Sequence, residues 1–97
     1  SRNVYMTAAE RAQAPEIRAA LLYAQKLARE GETSAALLRE AVLRRWAEHL
    51  PLGRLDYLSI VHPESMAPLR EVNGPALMAC AVRMGKARLI DNILLRS

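Results

Sequence analysis

The stretch that decides the fold is Leu77-Met78-Ala79-Cys80-Ala81-Val82-Arg83-Met84-Gly85-Lys86-Ala87-Arg88-Leu89-Ile90-Asp91-Asn92-Ile93-Leu94-Leu95. It opens with six apolar residues, is interrupted at Gly85 beside basic residues, and continues with a second apolar run. Two runs of strand length joined by a short connection that contains glycine predict a β-hairpin. Because the first run is apolar at every position, it also predicts burial on both faces of the sheet. One long buried helix broken at Gly85 is the alternative.

Two amphipathic segments precede this hairpin, and both predict helices. The first follows a capping box formed by Thr7 and Glu10, and Pro15 marks a new first turn or a kink. The second has its cap at Thr33 or Ser34. The apolar stripes at helical spacing are Ile17, Leu21, Leu22 and Leu27 in the first segment, and Leu37, Leu38, Val42, Leu43 and Trp46 in the second. Because the link between them is short, the helices are expected to be antiparallel neighbours.

A first strand is predicted before the hairpin. Residues 55–61 are rich in β-forming side chains, and Asn73-Gly74-Pro75 is a turn signal that precedes the apolar run. The order is therefore helix, helix, strand, excursion, strand, strand. The predicted fold class is α+β, with two antiparallel helices packed on a small, about three-stranded antiparallel sheet.

Length and composition favour one domain that spans residues 1–97. With 97 residues and 52% hydrophobic side chains, the chain has material for one core and no second. Cys80 is the one cysteine, so it forms neither an intrachain disulfide nor a cysteine metal site, and a buried thiol in a reducing compartment is expected. No run approaches 18 apolar residues and no signal peptide is visible, which predicts a cytoplasmic protein without a membrane partner.

The net charge of +4 and pI near 9.8 make an anionic partner plausible. The basic residues occur singly or in pairs such as Arg44-Arg45, with acids between them and no interleaving with aromatic residues. A solvated mixed surface without a nucleic-acid partner is therefore the favoured interpretation. A free-standing small basic module that binds nucleic acid or an acidic protein is the alternative, and a pure assembly domain is a third hypothesis.

Few side chains suggest chemistry. Neither His49 nor His62 has a neighbour in sequence that predicts a metal site or a nucleophile relay, and there is no Walker A or GxGxxG motif. We therefore predict no catalytic residue and no metal ligand in these residues. Asp91-Asn92 lies between apolar residues of the last strand, where a carboxylate must be paired or solvated at the sheet edge. Arg88 is a candidate partner, although residues three apart on a strand point to opposite faces. A buried polar tie that holds the domain together is the favoured interpretation, and a catalytic acid is the alternative.

Five segments follow one another in the order and spacing of one enzyme family: Ser1-Arg2-Asn3-Val4-Tyr5-Met6, Glu10-Arg11-Ala12-Gln13-Ala14-Pro15, Asp56-Tyr57-Leu58-Ser59-Ile60-Val61, Pro63-Glu64, and Gly85-Lys86-Ala87-Arg88-Leu89-Ile90-Asp91-Asn92. Together they resemble the pantothenate synthetase (pantoate–β-alanine ligase) family, specifically its C-terminal domain. One departure is His62, which stands where relatives often have Asp before Pro-Glu; it is interpreted as a surface change without catalytic consequence.

The resemblance implies an enzyme that joins pantoate and β-alanine with ATP and Mg²⁺ through a pantoyl-adenylate, releasing AMP and pyrophosphate. It implies that the partner of this domain is an N-terminal Rossmann-like domain, which carries an HxGH-type signature, the substrate pockets, most of the ATP and Mg²⁺ contacts and most of a homodimer interface. No HxGH sequence occurs in these 97 residues. They would then form a lid domain without turnover of its own.

The resemblance also implies that residues 1–6 are the end of a KMSKS-like segment. In that role Ser1 and Arg2 would contact ATP phosphates, because a hydroxyl and a guanidinium fork stabilise charge on a departing pyrophosphate. Asn3 would shape the turn. Structural roles are expected for Arg88, Asp91 and Asn92.

Overall fold

The computed structural model describes residues 6–96, which form three helices and three strands. In chain order the elements are α1 (Ala8–Gln13), α2 (Pro15–Arg29), α3 (Ala35–His49), β1 (Gly53–Val61), β2 (Ala76–Met84) and β3 (Ala87–Leu95). The strands form one antiparallel sheet in the order β1-β2-β3. The helix α2 lies over β3 and α3 lies over β1. The predicted α+β architecture is therefore confirmed, with the short α1 added before the two long helices.

Local signals in the sequence set the helix ends. The Thr7 hydroxyl accepts from the Glu10 amide at 3.2 Å, and the Glu10 carboxylate accepts from the Thr7 amide at 2.7 Å, which confirms the predicted capping box. Pro15 begins α2, where its missing N–H removes no helical hydrogen bond. The chain leaves α2 through Gly31 at φ +113°, a conformation that glycine adopts without strain.

The two long helices run antiparallel, as predicted. Ser34 caps α3 by accepting from the Leu37 amide at 3.2 Å. Trp46, near the end of α3, donates its indole N–H to the Glu16 carbonyl at the start of α2 (3.2 Å). The buried stripes differ from the prediction, because Leu22 is 46% and Leu37 is 53% exposed. The buried face of α2 consists of Ile17, Ala20, Leu21, Ala24 and Ala28. Its alanines allow a close approach to the neighbouring elements.

The strands β2 and β3 form the predicted hairpin, so the alternative of one long helix is wrong. Met84 pairs with Ala87 across the two-residue turn Gly85-Lys86. Gly85 has φ +62° at the first central position, as a type II′ turn requires. The residues of β2 that face the helices are Ala76, Met78, Cys80, Val82 and Met84, and all five are buried.

The expectation of burial on both faces of the sheet is wrong, because the helices cover one face only. The other face is named the outer face here, and its paired positions are Arg54, Tyr57, Ser59 and Val61 of β1, Leu77, Ala79, Ala81 and Arg83 of β2, and Arg88, Ile90, Asn92 and Leu94 of β3. Ala81 is fully buried beside its larger cross-strand neighbours Tyr57 and Ile90, which are themselves exposed. Because β2 carries small residues on its outer face, the larger side chains of β1 and β3 cover them without a second layer of helices.

The excursion between β1 and β2 folds back along β1. The Leu69 amide donates to the Ile60 carbonyl at 2.9 Å, and the Val72 amide donates to the Thr33 carbonyl at 2.7 Å. These bonds bring Val72 into the core, where it is fully buried. His62 begins the excursion, and its Nδ1 accepts from the amides two and three residues further on. It therefore acts as a turn-forming residue.

Candidate functional site

Three arginines lie side by side at the turn end of the outer face. The strand register pairs Arg54 with Arg83 and Arg83 with Arg88, so one line of guanidinium-bearing side chains crosses all three strands. These three residues are named the arginine row. Neighbouring strands lie about 4.8 Å apart, and like charges opposite one another destabilise a sheet. The row therefore needs negative charge close to it.

Asp56 supplies a carboxylate to the arginine row. The register of β1 shifts between Leu55 and Tyr57, which leaves Asp56 as the extra residue of a bulge. Its Oδ2 accepts from Arg88 Nε at 2.6 Å and lies 4.0 Å from Arg83 Nε. The hydrogen bond from Arg88, together with the positive charges of both arginines, holds the pKa of Asp56 below its ordinary value. Asp56 thus pairs with Arg88 and lies near Arg83, and Arg54 has no carboxylate within ion-pair distance among residues 6–96.

The ion pair of Asp56 predicts an acid-sensitive contribution to stability. Because the folded pKa lies below the ordinary value of 3.8, this contribution is complete above that value and is lost as pH falls through the folded pKa. We expect the free energy of unfolding of the native chain to exceed that of Asp56→Asn at pH 6, and the difference to shrink below about pH 4. Urea unfolding of both proteins from pH 3 to pH 6 measures it. A difference that stays constant over this range contradicts the pairing.

An open cavity of about 360 Å³ borders the arginine row and is lined by Glu10, Leu52, Arg54, Arg83 and Gly85. The carboxylate of Glu10 lies against Gly85, so a side chain at position 85 would require this carboxylate to move. The contact places α1 beside the hairpin turn. Met6, which is buried, precedes α1 by one residue. Met6 and α1 therefore lie at the same end of the sheet as the arginine row.

The described residues contain no assembled catalytic or metal centre. Within residues 6–96 no group of three or more His, Cys, Asp or Glu side chains could hold a metal ion. Cys80 is a buried free thiol, and burial raises its pKa to about 11, so it stays protonated at neutral pH and is a poor nucleophile. His49 contacts the Glu48 carboxylate at 3.8 Å on the surface of α3. In this part of the chain, none of the helices has the length and apolar character that a membrane span requires.

Asp91 and Asn92 do not form the predicted buried tie. The Asp91 side chain is 27% exposed and pairs with Arg18 of α2 at 3.0 Å. Asn92 is exposed, and its backbone carbonyl accepts from the same guanidinium at 3.4 Å. Because β3 is an edge strand, solvent reaches this pair. The contact links α2 to β3 as a surface ion pair, which contributes about 0–1 kcal/mol.

The other predicted site residues divide into two groups. Arg88 bonds to Asp56 across the sheet and not to Asp91, because it points to the outer face. Ser1, Arg2 and Asn3 lie outside the described residues. Arg54, Asp56 and Arg83 were not predicted as site residues, because only the strand register brings them together. One signal was available: Arg83 and Arg88 lie at equal distances from the Gly85-Lys86 turn, so a two-residue hairpin must pair them.

Comparison with known proteins identifies the family. Residues 1–94 match the sequence model described as Pantoate-beta-alanine ligase. The chain belongs to the pantoate-β-alanine ligase family. It is 81% identical over 97 residues to the pantothenate synthetase of Desulfovibrio desulfuricans and 53% identical over 95 residues to that of Oleidesulfovibrio alaskensis. The predicted family membership is confirmed.

Structural similarity to the ligase family is equally clear. A crystal structure of pantothenate synthetase from Thermus thermophilus superposes with a TM-score of 0.88 at 36% identity, over 99% of this chain and 34% of that chain. The chain also spans 34% of the length of both the D. desulfuricans and the O. alaskensis relatives. This coverage is consistent with a C-terminal portion of the ligase, as the resemblance implied.

Proposed function

We propose that this chain is the lid domain of a pantoate–β-alanine ligase. The reaction would join pantoate and β-alanine with ATP through a pantoyl-adenylate, giving pantothenate, AMP and pyrophosphate. The observation that carries this proposal is the family match over residues 1–94 in a chain that spans about a third of its relatives' length. The remaining two thirds would provide the Rossmann-like partner domain, with the pantoate and β-alanine pockets and the homodimer interface, in a cytoplasmic enzyme.

Ser1 and Arg2 are the proposed contacts to the ATP phosphates. A guanidinium donates two parallel N–H bonds to phosphate oxygens, and a hydroxyl donates one more. These donors act most strongly where charge develops on the departing pyrophosphate.

A lid must be rigid and must exclude water from the reactive adenylate. The packing of α2 and α3 on the sheet makes the body rigid, and the Arg18–Asp91 and Arg88–Asp56 pairs link its elements at the surface. Asn3 is assigned to the turn that follows the phosphate contacts. Closure of this body over the nucleotide would bring Ser1 and Arg2 to the phosphates.

Mg²⁺ is proposed to accompany the ATP. Residues 6–96 offer no cluster of potential metal ligands, so these residues do not fit a metal site. The ion would be held by the nucleotide phosphates and by the partner domain. The part of the chain described here would contribute donors and positive charge only.

A chimera tests the proposed function. The matching third of the D. desulfuricans pantothenate synthetase, 81% identical, would be replaced by this chain. We expect the chimera to form pantothenate at a rate within several-fold of the parent, and the isolated chain to form none. The parent enzyme without its matching third is the control, with an expected loss of about 100-fold or more because the lid contacts are gone. Turnover by the isolated chain, or full activity of the truncated parent, contradicts the lid role.

A further inference from the structure

We propose that the arginine row and the adjoining cavity bind linked phosphate groups, either as inorganic pyrophosphate or as the polyphosphate tail of a nucleotide. This site lies in the described residues and is distinct from the contacts proposed for Ser1 and Arg2. Only the choice of a nucleotide as the biological source rests on the proposed function.

The charges around the site leave a positive surplus. The cations are Arg54, Arg83 and Arg88 of the row and Lys86 in the adjoining turn. The carboxylates near the row are Asp56, which pairs with Arg88, and Glu10, which lines the cavity. The Glu10 carboxylate already accepts a hydrogen bond from the Thr7 amide at 2.7 Å in the capping box. Two positive charges thus remain in excess on a small surface. A concentrated positive surplus of this kind attracts multiply charged anions more strongly than it attracts singly charged anions.

The hydrogen-bond donors of the arginine row are largely unused. Arg88 donates through Nε to Asp56, which leaves its terminal nitrogens available. Arg83 lies 4.0 Å from the same carboxylate, outside ordinary hydrogen-bond distance. Arg54 makes no ion pair with any of residues 6–96. Planar guanidinium groups present paired donors that match phosphate oxygens. Guanidinium groups on neighbouring strands, about one strand spacing apart, can therefore contact two linked phosphates.

The arrangement has a cost that a ligand would offset. Opposed arginines on adjacent strands repel one another, and one carboxylate neutralises a third of their charge. The cavity opens beside Arg54 and Arg83 at the hairpin turn, where α1 joins the sheet. An anion bound there would contact Arg54 and Arg83 and offset their mutual repulsion.

The test is a titration of the ¹⁵N-labelled 97-residue chain with sodium pyrophosphate at constant ionic strength. We expect saturable shifts of the amides in residues 53–56 and 82–89. The double variant Arg54→Gln/Arg83→Gln is expected to weaken binding about tenfold or more, because two charge-assisted contacts are lost. Arg29→Gln/Arg44→Gln removes the same charge from exposed helix positions and is the matched control. Arg88 is left unchanged because its bond to Asp56 joins β1 to β3.

Other ligands identify the source of the phosphates. ATP that binds like pyrophosphate, with AMP and orthophosphate about tenfold weaker, assigns the site to a nucleotide's polyphosphate tail. Pyrophosphate that binds much more tightly than ATP assigns it to the free anion. Both results support the proposal, and partial recovery in Arg54→Gln/Arg83→Lys would confirm that charge is responsible.

Three results would overturn the proposal. They are shifts that do not saturate, equal weakening in the two double variants, and tighter binding of an RNA oligonucleotide than of pyrophosphate. The last would assign the row to a nucleic acid. Unchanged amide dispersion in every variant shows that the fold is retained. Because the titration needs no catalysis, its failure leaves the chimera test of the lid role unaffected.

Discussion

Replacement of Arg2 by alanine in the full-length ligase is expected to lower the rate of adenylate formation about 100-fold or more, which corresponds to about 2.7 kcal/mol of lost transition-state stabilisation. The proposed reason is that the Arg2 guanidinium neutralises charge that grows on the pyrophosphate as it leaves. An interaction that strengthens in the transition state lowers kcat more than it raises KM. Pantoate-dependent exchange of labelled pyrophosphate into ATP measures this step without the later attack by β-alanine.

Two variants control this experiment. Arg2→Lys keeps the charge but loses the paired donors, so an intermediate rate is expected. Arg44→Ala removes an exposed arginine whose partner is Glu40, 3.0 Å away on the same helix, and it should leave the exchange rate unchanged. An unchanged rate in Arg2→Ala would remove this residue from the mechanism. A raised KM for ATP with normal kcat would assign it to ground-state binding instead.

The elements that the sequence predicts well are those set by local chemistry. The capping box at Thr7, the proline at the start of α2 and the serine cap of α3 each act within one helical turn. The hairpin follows from two apolar runs and a glycine that tolerates φ +62°. Because these signals lie within a few residues of one another, they can be interpreted without knowledge of the tertiary structure.

Burial was harder to predict because it depends on which element lies opposite. The apolar run of β2 is typical of a strand covered on both faces, yet its outer face holds small residues beside larger cross-strand neighbours. Leu22 and Leu37 fit the helical stripes but point away from the sheet. The predicted buried tie at Asp91 failed for the same reason, since β3 is an edge strand that solvent can reach.

The candidate site shows the same division. The predicted phosphate contacts at Ser1 and Arg2 came from resemblance to a family, and they remain predictions because both residues lie outside the described part of the chain. The arginine row depends on the register of three strands and on a bulge at Asp56. The alternation of apolar and polar residues in β1 is irregular, so the bulge cannot be detected from it. The register of β2 on β3 can be counted outward from their two-residue turn. The register of β1 on β2 cannot, because a 14-residue excursion, residues 62–75, separates these strands.

Replacement of Leu38 by alanine is expected to lower the free energy of unfolding by about 2–5 kcal/mol. Leu38 is fully buried in α3 within the core between the helices and the sheet. Its truncation removes apolar contacts and leaves a cavity that close-packed neighbours fill only in part. For a domain of this size each 1 kcal/mol shifts Tm by about 4–8 °C, so a fall of roughly 10–25 °C is expected. Urea and thermal unfolding followed by circular dichroism measure both quantities.

Leu37→Ala is the matched control, because it makes the same chemical change one residue earlier in the same helix. Leu37 is 53% exposed, so its truncation should change the free energy of unfolding by about 0.5 kcal/mol or less. The change in helix propensity is the same at both positions, so the difference between the variants isolates burial. Equal destabilisation would contradict the assignment of Leu38, and not Leu37, to the core. A loss in Leu37→Ala alone would show that α3 presents the opposite face to the sheet.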